Sequence, residues 1–152
     1  MPRTKCGFND GPSGKGSDLL VTNGPTLFVD IGFDPAYRPH PPGRVPVPAV
    51  REVWALVDTG ATESCIDSAL AVQLALPIID RRPIAGVGGR KEVNMHLAQI
   101  HISSLGFTLY GAFAAVDLAA GGQTHLALIG RTFLRHFTLI YTGSTGDVEI
   151  YS

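Results

Sequence analysis

Asp58, Thr59 and Gly60 are the residues whose types and order best suit chemistry, and they directly follow the apolar run ALV. A carboxylate at the end of a buried strand loses hydrating water and needs compensation. Two such carboxylates about 3 Å apart share one proton, because both cannot be charged at that distance. One then acts as a base on a water molecule while the other donates to a carbonyl, which hydrolyses a peptide bond. Taken alone, the triplet could equally be a turn.

Two further features follow Asp58 along the chain. The first is a predicted long hairpin, formed by residues 82–85 and 92–103, with a glycine-rich tip. The tip consists of Gly86, Val87, Gly88 and Gly89. The second is an apolar run, residues 126–129, that ends in Ile129 and is followed by Gly130. Neither feature alone indicates a function. It is their occurrence after Asp58, in this order, that is informative.

The remaining pattern predicts a mostly β protein with two short helices. β-Branched and alternating residues indicate strands over residues 26–33, 50–57 and 107–116, and two C-terminal strands around the turn GSTG. Helices are predicted over residues 68–74 and 131–137. Prolines cannot donate to a sheet ladder, so the six prolines of residues 34–48 predict a long loop inserted between two strands.

Composition bounds the domain organisation and the partners. The chain has 152 residues, 45% of them apolar, which predicts one globular domain over residues 19–152. Residues 1–18 are rich in Gly, Ser, Pro and polar residues, and we expect them to form a flexible tail. The formal net charge of -1 gives no electrostatic case for a nucleic-acid or membrane partner.

Cysteine and histidine usage bears on location and metal binding. The two cysteines, Cys6 and Cys65, are too few for a disulfide framework. With neither a signal peptide nor a membrane span recognisable, we expect a cytoplasmic protein. His96 and His101 lie five apart on one predicted strand and therefore face opposite sides, so they cannot jointly bind a metal. No metal or cofactor is expected.

Three segments together resemble the retropepsin family of aspartic proteases. ALVDTGATESCID resembles the family's catalytic loop, RPIAGVGGRKEV its flap, a hairpin at residues 82–93, and ALIGRTFLRHF its second loop with the following helix. The resemblance covers residue 26 to the C-terminus. It implies a closed acid-protease β-barrel with one or two short helices and one Asp-Thr-Gly loop per chain.

The resemblance implies roles for individual residues. The expected catalytic residues are Asp58, Thr59 and Gly60, with Thr59 linking the two loops of a dyad. The expected substrate contacts are Ala61, Gly86, Val87, Gly88 and Gly89, with Val87 an apolar cover. The expected structural supports are Ile129, Gly130, Arg131 and Glu63. Arg131 pairs with an aspartate in the retroviral members, but Thr62 stands at that position, so Glu63 is the expected substitute.

One aspartate per chain predicts a homodimer that cuts extended peptides, because a two-fold interface would bring Asp58 of each subunit together. We expect the C-terminal strand, residues 147–151, to join that interface, and a working pH of about 5 to 6. A single-chain enzyme with two lobes is disfavoured, since Tyr141 stands where a second Asp-Thr-Gly would need its aspartate. A non-catalytic peptide-binding or dimerisation module and an unrelated β-barrel remain as alternatives.

Overall fold

The computed structural model describes residues 2–40, 43–86 and 88–152, and within them six strands form a closed barrel. Around the barrel they follow the order β2 (Thr26–Gly32), β3 (Val50–Val57), β8 (Ala127–Ile129), β4 (Cys65–Asp67), β7 (Phe107–Val116) and β6 (Gly89–Ile102). Antiparallel pairing of β6 with β2, for example Ile31 opposite Ile100, closes the ring. The predicted mostly β, closed-barrel fold is confirmed.

The glycine-tipped hairpin is longer than the sequence predicted. Its first strand, β5 (Ile78–Gly86), pairs antiparallel with β6 from Ile78 opposite His96 to Gly86 opposite Gly89. β5 lies at the end of the seven-stranded sheet and is not one of the six barrel strands. The tip of the β5–β6 hairpin therefore extends beyond the barrel. The predicted apolar cover, Val87, lies outside the described residues.

The barrel has an apolar interior, and both predicted helices are present. Ile31, Ile100 and Ile129 are completely buried where their strands face one another. The helices are α2 (Ser68–Gln73), whose first turn is capped by the Asp67 carboxylate at 3.1 Å from the Leu70 amide, and α3 (Arg131–Leu134). None of the helices in the described part of the chain is long and apolar enough to cross a membrane.

The N-terminal segment differs from the flexible tail expected for residues 1–18. β1 (Arg3–Lys5) pairs antiparallel with β10 (Asp147–Tyr151), and α1 (Gly16–Asn23) follows. Cys6 is buried, its amide donates to the Val148 carbonyl at 2.9 Å, and its carbonyl accepts from the Thr26 amide at 2.8 Å. These bonds attach the segment to the domain.

Glycine explains why composition misled here. A Cβ on Gly7 would lie 2.1 Å from the Gly146 carbonyl oxygen, and one on Gly16 would lie 2.1 Å from the Phe8 carbonyl oxygen. Glycine at both positions therefore permits backbone to pack on backbone. The same glycines, counted as composition, indicate disorder.

β1, β10 and β9 (Thr138–Thr142) form a separate three-stranded sheet in that order. β10 is the middle strand, so both of its edges are already paired within the chain. The expectation that residues 147–151 join the dimer interface stays a prediction, with both edges of the strand already paired. Within this sheet the edge of β9 that faces away from β10 is unpaired.

A buried histidine makes the stability of the fold depend on pH. His125 is buried, and its Nε2 lies 2.8 Å from the Thr26 hydroxyl, which itself donates to the Gly24 carbonyl, so Nε2 carries the proton. Its Nδ1 is buried without a partner among the described residues. Burial lowers the pKa of His125, because the charged imidazolium would lose its hydration.

We expect the free energy of unfolding to fall as pH is lowered from about 7.5 to 5.5, because the unfolded chain, whose histidine titrates near 6.5, binds the proton more readily than the folded chain. Urea unfolding at several pH values measures this. His125→Gln keeps a side-chain donor for Thr26 and should flatten the decline in part, since burial also lowers the pKa of His101. An unchanged pH slope in the variant would refute this role.

Candidate active site

Asp58 is held where the two apolar runs meet. β3 and β8 are parallel neighbours with Val57 opposite Ile129, and the Asp58 amide donates to the Ile129 carbonyl at 2.9 Å. Because the carboxyl ends of parallel strands meet at one edge, both loops leave the barrel together. The structure thus brings the predicted Asp58 and Ile129 loops into contact.

The Asp-Thr-Gly loop is a tight turn around the carboxylate. The Gly60 amide donates to Asp58 Oδ1 at 2.9 Å, and the Ala61 amide donates to the Asp58 carbonyl at 3.2 Å. A Cβ on Gly60 would lie only 3.1 Å from Asp58 Oδ1, so glycine lets the backbone approach the carboxylate. Asp58 is half-buried, whereas Thr59 is exposed. The carboxylate is therefore oriented yet accessible.

Gly130 seats the second loop against the first. A Cβ on this buried residue would lie 2.6 Å from the Glu63 carbonyl oxygen and 2.9 Å from that of Ala61. The Gly130 amide donates to the buried Ser64 hydroxyl at 3.0 Å. Ser64 was not predicted, because nothing in its sequence context separates a serine that accepts a hydrogen bond from a loop amide from a solvated one.

Arg131 joins the two loops by hydrogen bonds to uncharged acceptors. Its guanidinium donates to the Thr59 carbonyl at 2.7 Å and to the Thr62 hydroxyl at 3.0 Å, and its amide donates to the Ala61 carbonyl at 2.9 Å. Glu63 is exposed and, within the described residues, forms no ion pair with Arg131. The prediction of Glu63 as the substitute partner is wrong, because Thr62 is within reach.

A groove of about 520 Å³ lies between the Asp58 loop and the hairpin. Its floor includes Gly60 and Ala61, and its walls include Ile84 and Ala85 of β5 and Ala114 of β7. The expected contacts Gly88 and Gly89 are exposed at the hairpin tip and are not among the described residues that line the groove. Ile84 and Ala85, which precede the glycines, take that place.

Cys65 and the scarcity of clustered metal ligands limit the chemistry of the groove. Burial raises the pKa of the Cys65 thiol to about 11, which keeps it protonated and unsuited to nucleophilic attack. Within the described residues, no group of three or more His, Cys, Asp or Glu side chains is arranged to hold a metal. Among the described residues, the groove therefore offers neither a reactive thiol nor a cluster of metal ligands.

The hairpin is tied to the groove wall by Lys91 and Asp117. Lys91 lies opposite Ile84 in the hairpin, and its Nζ is 2.8 Å from Asp117 Oδ2, just beyond the end of β7. The Ser68 hydroxyl also donates to Asp117, and the buried Asp67 carboxylate fixes the same turn by accepting from the Leu118 amide at 3.0 Å. The bond from Lys91 is the main cause that lowers the pKa of Asp117, so the pair persists in mild acid.

We expect Asp117→Asn to raise KM about two- to fivefold with little change in kcat, because an exposed ion pair is weak and its loss frees only the hairpin. Amide hydrogen exchange should become faster over residues 84–91. Asp80→Asn is the matched control, since Asp80 pairs with Arg82 of the same strand at 3.1 Å. Equal effects of both variants on KM would contradict a specific tie.

Sequence comparison decides the family. A profile described as aspartyl protease matches residues 49–133, more than half of the chain. The chain belongs to the aspartyl protease family. The matched region contains the Asp58 loop, the hairpin and the Ile129–Gly130 loop, and the predicted resemblance is confirmed. Membership of the aspartyl proteases supports a protease in general.

Solved structures and curated proteins add two findings. EIAV protease complexed with the inhibitor HBY-793 is similar in fold, with a TM-score of 0.48 and 21% sequence identity over 74% of this chain and 86% of that chain. No curated protein matches the sequence.

Proposed function

We propose that this aspartyl protease is an endopeptidase that acts as a homodimer. One observation carries the proposal: a single, oriented Asp58 carboxylate is presented beside a groove, and the adjoining Ile129–Gly130–Arg131 loop supplies no second carboxylate. Hydrolysis through a shared proton needs two. A second copy of the chain, related by a two-fold axis, supplies the other Asp58.

In the proposed mechanism the two Asp58 carboxyl groups share one proton and hold a water molecule between them. The ionised group removes a proton from the water, which attacks the carbonyl carbon while the protonated group donates to the carbonyl oxygen. Collapse of the tetrahedral intermediate then passes a proton to the leaving nitrogen. The mechanism uses no metal or cofactor.

Thr59 is the residue that we propose to link the subunits. It is exposed next to Asp58, and within the described residues its hydroxyl has no hydrogen-bond partner in the monomer. Its carbonyl is already fixed by Arg131 at 2.7 Å. We assign the hydroxyl to a bond with the partner subunit across the dyad, the role that the family resemblance implies.

An extended peptide is the proposed substrate. It would lie over Gly60 and Ala61 and under the hairpin, where Ile84 and Ala85 give an apolar wall. Gly86, Val87, Gly88 and Gly89 remain proposed substrate contacts that would be reached when the hairpin closes.

We place the protease in the cytoplasm. A non-catalytic peptide-binding module is the alternative, but it would have no use for two apposed carboxylates.

The unpaired edge of β9 is the proposed dimer contact. Its sequence TLIYT carries no charge or proline, and such edges readily pair with another strand. Ile140 and Tyr141 are 48% and 54% exposed, which is high for large apolar side chains. β9 follows the Ile129–Gly130–Arg131 loop in the chain, with only α3 between them. A dimer contact at β9 would therefore involve residues close in sequence to that loop.

Cleavage of a mixed peptide library at pH about 5 to 6, over a wide range of protein concentration, tests the proposal. We expect specific activity to rise with concentration, to yield to pepstatin, and to vanish in Asp58→Asn. Ile140→Lys should shift the rise to higher concentration, whereas Val72→Lys, at an even more exposed apolar residue of α2, should not. Constant specific activity of a protein that sediments as a monomer over the same range would refute the homodimer, and no cleavage by a dimeric wild type would favour the binding module.

A further inference from the structure

The described ends of the proline-rich loop are fixed by hydrogen bonds that the proposed chemistry does not use. The buried Asp34 carboxylate accepts from the Ala36 amide at 2.9 Å and from the Val47 amide at 3.0 Å, which joins the two ends of the loop. These bonds lower the pKa of Asp34, so it remains charged. The Gln99 side chain of β6 holds the Asp34 backbone at both its amide, 2.7 Å, and its carbonyl, 3.1 Å.

Between this loop and the barrel lies a second cavity, here called the loop pocket, of about 480 Å³. Its volume is close to that of the active-site groove. Its side chains that can donate hydrogen bonds or carry positive charge include His40, Arg44, His101, His136, Tyr37 and Tyr110. No Asp or Glu is among the described residues that line it. The pocket is therefore suited to an anionic group.

Several of the hydrogen-bond donors of the loop pocket pack against aromatic rings. The Tyr37 and Tyr110 rings lie 5.7 Å apart, and His136 lies 5.6 Å from Phe107. Arg44 uses one guanidinium nitrogen for Asp34, at 3.4 Å, and its other N–H groups have no partner within the described residues. Asp34 thus offsets part of the Arg44 charge while leaving most of its fork available to a carboxylate.

The loop pocket and the groove are connected through shared lining residues along the outer face of β7. Side chains alternate along a strand, so Ala114, Ala112, Tyr110 and Thr108 share that face. Ala114 lines the groove, Ala112 and Tyr110 line an intermediate hollow, and Tyr110 and Thr108 line the loop pocket. Glu63 and Ser64 line both the groove and the hollow.

The row of outward-facing β7 residues from Ala114 to Thr108, here called the track, is about 20 Å long, since a strand rises about 3.3 Å per residue. An extended peptide of about six residues covers the same distance. Glu63, near the beginning of the track, disfavours an acidic side chain there. The basic loop pocket at the other end favours one.

We propose that the loop pocket binds acidic side chains of the peptide substrate, about six or more residues from the bond that is cleaved. This inference rests on the proposed function, because it deepens the substrate class of the same groove. It gives the proline-rich loop a role in substrate selection. The selectivity is electrostatic and acts apart from the contacts around Asp58.

Cleavage of a library of long randomised peptides tests the proposal. We expect Asp and Glu to be enriched about six or more residues from the cleaved bond by the wild type, and this enrichment to be lost in Arg44→Gln and in His136→Gln. Arg135→Gln removes an exposed charge next to His136 but outside the pocket and should retain it. Cleavage without acidic enrichment, or equal loss of enrichment in Arg135→Gln, would overturn the proposal.

A binding measurement separates failure of the pocket from failure of catalysis. Fluorescein-labelled hexaglutamate is titrated with the full-length Asp58→Asn protein, with hexaglutamine as the uncharged probe. We expect hexaglutamate to bind more tightly than hexaglutamine, and Arg44→Gln or His136→Gln to weaken it about fivefold or more. Equal binding of the two probes would refute the pocket even if cleavage is found. Preferential, pocket-dependent binding without any cleavage would refute only the endopeptidase.

Discussion

An equimolar mixture of wild-type protein and Asp58→Asn is expected to retain about one quarter of the cleavage activity of the same total amount of wild type. Random exchange leaves one dimer in four with two aspartates, and an asparagine cannot share the proton or act as the base. Activity is measured after the subunits have re-equilibrated at a concentration that keeps them dimeric. The pure variant should lose all measurable activity while it remains folded and dimeric.

The mixing experiment distinguishes how many carboxylates each site uses. Independent monomeric enzymes would leave one half of the activity, which would contradict a shared site. Asp18→Asn is the matched control, because Asp18 is exposed on α1 and mixing it with wild type should leave activity unchanged. The ratio is informative because it depends on subunit combination and not on the rate of any step.

Gly130→Ala is expected to abolish activity and to lower the free energy of unfolding by about 1–3 kcal/mol. The added Cβ would lie 2.6 Å from the Glu63 carbonyl oxygen, and real side chains do not tolerate that distance to backbone. Relief requires movement of the chain after Asp58, which Arg131 holds through the Ala61 carbonyl at 2.9 Å. The carboxylate would therefore lose its orientation.

Denaturant unfolding and peptide cleavage measure the two effects of Gly130→Ala. Gly11→Ala is the control, since no heavy atom lies within 4 Å of a Cβ there and the variant should behave as wild type. A fully active Gly130→Ala protein would show that the two loops are not packed as closely as their backbone contacts imply.

The sequence predicted those parts of the molecule in which a local pattern coincides with a long-range requirement. The last residues of β3, 55–57, and all of β8 are apolar because they lie wholly or partly inside the barrel, and the next residue is Asp58 or the closely packed Gly130. Such positions are visible as an abrupt change of residue type. Strand β4 was missed because its three residues, Cys65–Asp67, are too few to show a period.

The remaining features depend on partners distant in sequence. Residues 3–5 gain strand structure only from β10, so their own composition predicted disorder. Charge made Glu63 the expected partner of Arg131, whereas geometry selected the Thr62 hydroxyl at 3.0 Å. Ile84 and Ala85 line the groove because of where the hairpin leaves the barrel, which no local pattern encodes. Placement of a side chain is thus less predictable than its burial.

The bond between the Asp58 amide and the Ile129 carbonyl also sets the order in which the protein can mature. During synthesis β3 leaves the ribosome long before β8, and the barrel closes only when β6 reaches β2. Such non-local pairing makes folding slow, on the order of milliseconds to seconds. The loop around Asp58 therefore gains its bond to Ile129 only after β8 has been made. We expect a chain interrupted before residue 129 to lack the oriented Asp58 carboxylate.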